Sequence, residues 1–152
     1  MKKTILMLGP CAGHTGGMAT VIENLESSKL SAQCNLYLLN TGKITAKNRN
    51  LFQGIFAQIK ILFSLMSLIV CKRVEIVHIH TCSGFTFWRD CFHASVSKVF
   101  FCKIVWHIHG GRFHGFASHG RPLTKKILKF ALASADSVIV LTEHWKRPPV
   151  SG

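Results

Sequence analysis

Two runs decide the fold: Glu75-Ile76-Val77-His78-Ile79-His80 and Lys103-Ile104-Val105-Trp106-His107-Ile108-His109. Each is short, rich in β-branched residues, and closed by a pair of histidines two apart. Turn material follows, Thr81-Cys82 in the first and Gly110-Gly111 in the second. Apolar runs of this length suit strands buried on both faces of a parallel sheet. Three further runs share the character: Thr4 to Leu8, ended by Gly9-Pro10, then Asn35 to Asn40, then Ser137 to Leu141. Between the runs the apolar period changes to that of a helix. Met18, Val21, Ile22 and Leu25 follow a glycine-rich turn. A second helix opens at Pro122, with Leu123, Ile127, Phe130 and Ala131 on one face and Ser134 continuing it. Alternating strands and helices imply an α/β fold: a Rossmann-like, mostly parallel sheet with right-handed crossovers and helices on both faces.

The length of 152 residues suits one core and not two. The expected domain is 1–146. Residues 147–152 form an irregular tail, because Pro148 and Pro149 interrupt a helix that Thr142, Glu143 and Trp145 begin. With 48% hydrophobic and 16% charged residues, the chain is not disordered by composition. Its formal charge of +13 favours anionic partners: nucleic acid, phosphorylated sugars or an acidic membrane surface. The basic residues are scattered and match no nucleic-acid recognition motif, so nucleic acid is the disfavoured member. A basic α/β module that binds nucleic acid or membrane without catalysis remains an alternative. Cys11, Cys34, Cys71, Cys82, Cys91 and Cys102 show no CxxC spacing. The apolar stretch after Lys2-Lys3 is too short for a secretory signal. The expectation is a cytoplasmic protein with reduced thiols.

Leu51 to Cys71 is long and apolar enough to cross a bilayer. Gln53, Ala57, Lys60, Ser64, Ser67 and Cys71, however, recur at alternating steps of four and three and form a narrow polar stripe. Lys60 at the centre of a lone span would cost roughly 2.5–3.5 kcal/mol on insertion scales. The segment therefore reads as a core or interfacial helix. Lys47, Arg49, Lys72 and Arg73 flank it, which suits peripheral contact of residues 49–73 with an anionic membrane face.

Ligands of open α/β sheets sit at the carboxyl ends of the strands. The first such turn carries Gly16-Gly17 at the start of a helix, where free N–H groups attract phosphate. It is neither a P-loop nor a GxGxxG fingerprint, and a glycine pair before a helix also serves as a plain tight turn. His78 and His80 share a face of their strand, as do His107 and His109. Imidazoles so gathered suit zinc, which keeps a metal-dependent hydrolase as a second alternative. The usual metal spacings are missing and no carboxylate lies nearby to orient the rings, so no metal is expected. His78 and His107, inside their strands, read as hydrogen-bonded core residues, while His80 and His109 lie at the substrate edge. Arg112 is either a fixed cation for phosphate or carboxylate, or a solvated loop residue.

The ordered set of Gly16-Gly17-Met18, Glu75 to His80, His109-Gly110-Gly111 and Ala135-Asp136-Ser137 to Thr142 resembles the N-terminal domain of group 1 (family four) retaining glycosyltransferases of the GT-B fold. The resemblance runs from about residue 4 to 146. It implies transfer of a sugar from a nucleotide diphosphate to an acceptor hydroxyl with retention of configuration. It places Gly16 and Gly17 at the donor diphosphate and His109 in the catalytic position, with His107 as the alternative. His80, His107 and Arg112 would line the acceptor cleft. No cofactor is implied beyond the nucleotide-sugar co-substrate. The acceptor would be a carbohydrate or a lipid-linked molecule, as in surface or extracellular polysaccharide synthesis at the inner membrane face. Ala135-Asp136-Ser137 would set up the last strand without a chemical role. Two departures stand out. Glu75 replaces the usual aspartate, and the second Rossmann domain, with its nucleotide site and paired glutamates, is absent. The expectation is half an enzyme that needs a C-terminal domain or a complementary chain, binding nucleotide sugar weakly and turning it over undetectably by itself.

Overall fold

The computed structural model describes residues 2–11, 16–42, 50–110, 113–118 and 120–141. The five expected strands form as β1 (Thr4–Gly9), β2 (Asn35–Asn40), β3 (Ile76–Thr81), β4 (Lys103–Ile108) and β5 (Ser137–Val140). Around them lie α1 (Gly17–Glu26), α2 (Lys29–Gln33), α3 (Leu51–Lys72), α4 (Phe85–Val99), α5 (Phe113–Ser118) and α6 (Pro122–Ala133). The strand order is β2-β1-β3-β4-β5, and every pairing is parallel. This is a doubly wound order whose direction reverses between β1 and β3, the place where such sheets open a crevice at their carboxyl ends.

Period-two alternation divides the sheet into two unlike faces. One carries Leu6, Leu8, Val77, Ile79, Ile104, Trp106 and Ile108, packed with Leu65 and Ile69 of α3, Phe87 of α4 and Leu128 of α6. That face is the main core. The other carries Met7, Gly9 and the four histidines, with α1 against it: a Cβ at Gly9 would meet Ile22 Cδ1 at 2.5 Å and His80 Cβ at 3.1 Å. Gly9 is thus the close approach that lets α1 lie down at the end of β1.

α6 corrects one expectation. Pro122 does open the helix at its first turn. The buried side, however, is Leu128 and Ala131, while Leu123 and Phe130 are 64% and 74% exposed. Two overlapping apolar stripes compete on this helix. The one that wins carries a small residue where Trp106 must approach: Trp106 Nε1 donates to the Ala131 carbonyl at 3.3 Å. Phe130 in that place would hold the indole off.

Polar joints fix the frame. The Asp136 carboxylate accepts from the Ile104 N–H at 2.8 Å and from Lys98 Nζ at 2.7 Å, tying β5 to β4 and α4. The Lys98 bond, then that N–H, holds its carboxyl below the usual range. Glu75 pairs with Lys3 at the amino-terminal ends of β1 and β3. Arg89 on α4 donates to the Thr41 carbonyl at 2.7 Å and to Asp90 Oδ1 at 2.8 Å, joining α4 to the chain just after β2.

Among the described residues one helix, Phe52–Lys72, has the length and apolarity to cross a membrane. Leu65 and Ile69, in its second half, are 0% and 4% exposed against the sheet. Along a different side, Phe52, Phe56, Phe63 and Val70 are exposed. The polar stripe from Gln53 to Cys71 is neither of these sides, and Lys60 within it reaches solvent. The helix is therefore docked along one side and bare along another.

Candidate functional site: a histidine array at the carboxyl end of the sheet

The β3–β4 register sets His80 opposite His107, and the alternation of both strands then puts His78, His80, His107 and His109 on one face. Their rings form a continuous layer. Centroids lie 4.3 Å apart for His107–His109, 4.5 Å for His78–His80, 4.8 Å for His80–His107 and 5.2 Å for His80–His109. His78 and His107 are parallel to within 4°, at 5.4 Å. All four are buried, His80 most completely.

Burial governs their protonation, since a cation away from water is penalised and each neighbouring imidazole adds repulsion. His78 and His109 are held down to about 4, and His80 to about 2. Burial lowers His107 as well. At neutral pH all four are uncharged, each with one ring N–H and one acceptor nitrogen. A hydrogen bond of 3.0 Å joins His80 Nδ1 to His109 Nε2. His78 Nε2, His80 Nε2 and His107 Nδ1 are buried without a hydrogen-bond partner.

The array places the expected site residues as follows. His109 follows β4 directly, and its N–H donates to the Thr81 carbonyl at 2.8 Å, so the two strand ends are locked side by side. Gly110, next in the chain, is exposed and adopts φ +92°, a conformation that turns the backbone away from the sheet and favours glycine. His80 and His107 lie beneath this edge. Gly16 caps α1 with φ +135° and no side-chain cap bond. Nothing lies within 4 Å of where a Cβ would stand on Gly16 or Gly17. Arg112 and Gly111 lie outside the described residues, as do Thr142, Lys47, Arg49 and the 147–152 tail.

A match to the glycosyl transferase 4-like family covers residues 21–142, about four-fifths of the chain. The chain belongs to that family. No curated protein matches it. The expected resemblance to a group 1 glycosyltransferase N-terminal domain is therefore established over residues 21–142, and the all-parallel sheet is that of a Rossmann-like half of a GT-B fold.

Part of this glycosyltransferase domain escaped the sequence reading. His78 and His107 read singly as core residues, whereas the register assembles them with their partners into one cluster. Arg89, Asp90 and His93 were not singled out. The available signal was the pair Arg89-Asp90 in a helix otherwise filled by Phe85, Phe87, Trp88, Cys91 and Phe92. Arg89 and His93 border a cavity of about 590 Å³ between α3 and α4, lined also by Ile55, Ile59, Leu62, Phe85 and Phe92.

Proposed function

We propose that this domain is the acceptor-side half of a retaining glycosyltransferase that takes a nucleotide-diphosphate sugar as donor. The observation that carries the reading is the shared face of α1 and the histidine array, joined through Gly9. The uncapped N-terminus of α1 at Gly16 and Gly17 offers N–H groups and a positive dipole end to the departing diphosphate. His109 stands at the end of β4, on the acceptor side, as a neutral imidazole whose Nδ1 is left to hydrogen-bond an acceptor group. His80 holds the His109 ring through their mutual bond. His80 and His107 are buried, so they support the acceptor cleft from below.

A titration of the 15N-labelled chain with inorganic pyrophosphate, and then with a uridine diphosphate sugar, tests the donor reading. The amides at the start of α1 are expected to shift, with weak affinity. Gly17→Val should weaken binding several-fold at an unchanged melting temperature, because its side chain enters open space. Pyrophosphate that leaves the α1 amides unmoved defeats the reading.

A lipid-linked acceptor is favoured by α3. Its bare side presents Phe52, Phe56 and Phe63, with the apolar cavity between α3 and α4 beside it. Lys60, Lys72 and Arg73 are exposed on the same helix or its end. Apolar area plus basic charge is the combination that holds a helix in an anionic membrane interface. On this reading the enzyme works at the cytoplasmic face of the inner membrane. The chain should float with vesicles containing anionic phospholipid at low salt, and less so with Phe52→Ser/Phe56→Ser. Absence of flotation at low salt would remove membrane contact from the proposal and leave a soluble carbohydrate acceptor.

A further inference from the structure

The geometry points to a divalent transition-metal site, best fitted to zinc, formed by His78 and His80 of β3 with His107 of β4. Each residue offers one ring nitrogen, and these atoms lie within 4.8 Å of one another. Each also leaves a ring nitrogen buried and without a hydrogen-bond partner: His78 Nε2, His80 Nε2 and His107 Nδ1. Orphaned polar atoms in a core each carry a desolvation cost, and three in one cluster mark a place built for something that accepts all of them at once. A cation with nitrogen ligands does that.

The donor set decides the class of ion. Three imidazoles with neither carboxylate nor thiolate suit zinc and its first-row neighbours and exclude calcium and magnesium, which take oxygen ligands. Tetrahedral zinc with bonds of about 2.0–2.1 Å sets its ligand nitrogens roughly 3.4 Å apart. The cluster, whose ligand atoms lie within 4.8 Å of one another, must close by up to about 1.4 Å to reach that spacing. The spacing by two hints at zinc, but the usual one-motif metal spacing is missing because the ligands come from two strands in register.

The ion also has a consequence for the edge of the sheet. A ligating histidine hands its other ring N–H to a neighbour, which fixes its tautomer. His80 bound through Nε2 keeps its proton on Nδ1 and donates it to His109 Nε2 at 3.0 Å. The metal thereby fixes the tautomer of the residue at the end of β4. The site does not depend on the transferase reading, and its test reads metal alone.

The full chain, purified without a His tag and stripped with a chelator, is titrated with Zn²⁺ against a chromophoric competitor, with total metal counted by mass spectrometry. One equivalent bound with a submicromolar dissociation constant is expected. His78→Gln and His107→Gln should each weaken binding by at least about tenfold, while His93→Gln, altering a buried histidine outside the cluster, should not. Co²⁺ in the wild-type chain supplies a readout that needs no variant: tetrahedral visible absorption without a thiolate charge-transfer band. A stripped, folded chain that binds no equivalent of zinc would overturn the proposal and leave the cluster to a buried water. Binding unchanged in both ligand variants, or a thiolate band with Co²⁺, would place the ion elsewhere and overturn it equally.

Discussion

Arg89→Ala is expected to destabilise the domain by about 3–5 kcal/mol, the range for removing one partner of a buried ion pair. Asp90 is 1% exposed and Arg89 only 15%, so this is not a surface pair screened by water. The guanidinium gives Asp90 Oδ1 two bonds, from Nε at 3.0 Å and from an Nη at 2.8 Å. It gives the Thr41 carbonyl a third, at 2.7 Å. Asp90 Oδ2 has no hydrogen-bond partner and His93 Nδ1 stands 3.7 Å from Oδ1, beyond hydrogen-bond reach, which leaves little to compensate the carboxylate once the arginine is gone. At roughly 2–4 °C per kcal/mol for a domain of this size, the melting temperature should fall by about 6–20 °C. Arg89→Ala/Asp90→Ala should cost clearly less than the sum of its single changes, since no charge is then stranded. Urea unfolding of the four proteins measures this coupling. A single-variant loss below about 1 kcal/mol, the scale of exposed pairs, would show that solvent reaches Asp90 and defeat the argument.

The strands were legible because their signal is local. Ile76 to His80 and Lys103 to Ile108 are β-branched, apolar runs, and their bounds move by only a residue or so in the structure. The histidine array was half legible. Spacing by two puts His78 with His80 and His107 with His109, but only the pairing of His80 with His107 across the strands makes four residues into one layer. Register follows from packing of the whole sheet, so no window of sequence contains it. α6 shows the same limit on a helix: of the expected face Ala131 is buried but Leu123 and Phe130 are exposed, because the side that meets Trp106 runs through Leu128 and Ala131. The Arg89 network was not legible because one of its acceptors, Thr41, lies 48 residues away. On α3, composition alone yields a length and a polar stripe. Which side docks was set by Leu65 and Ile69 meeting the sheet.

Trp106→Ala is expected to cost about 3–5 kcal/mol by loss of packed volume, and the contacts say where in that range it should fall. The indole is 1% exposed and lies 5.7 Å from the Phe87 ring, which in turn meets Phe113 and Phe116. One side chain thus links β4, α4 and α5, and its Nε1 reaches α6. The hydrogen bond is the smaller part, because the Ala131 carbonyl also accepts from Ser134 Oγ at 3.0 Å and is not orphaned when the indole goes. Beside Trp106 a cavity of about 310 Å³ runs along Ile104, Ile127 and Phe130. Exposed Phe130 has room to swing into the space vacated, so the loss belongs in the lower half of the range. Trp106→Phe, which keeps a ring against Phe87, should lose only about 1–2 kcal/mol. Denaturant titrations followed by far-ultraviolet circular dichroism check both values. Equal losses in the two variants would mean that the hydrogen bond, rather than packing, holds α6 to the sheet. Because Trp106 and His107 point to opposite faces of β4, the folded fraction of either variant should bind zinc as the parent does. Stability and metal affinity falling together would instead show that the two faces of the sheet are coupled through the β4 backbone.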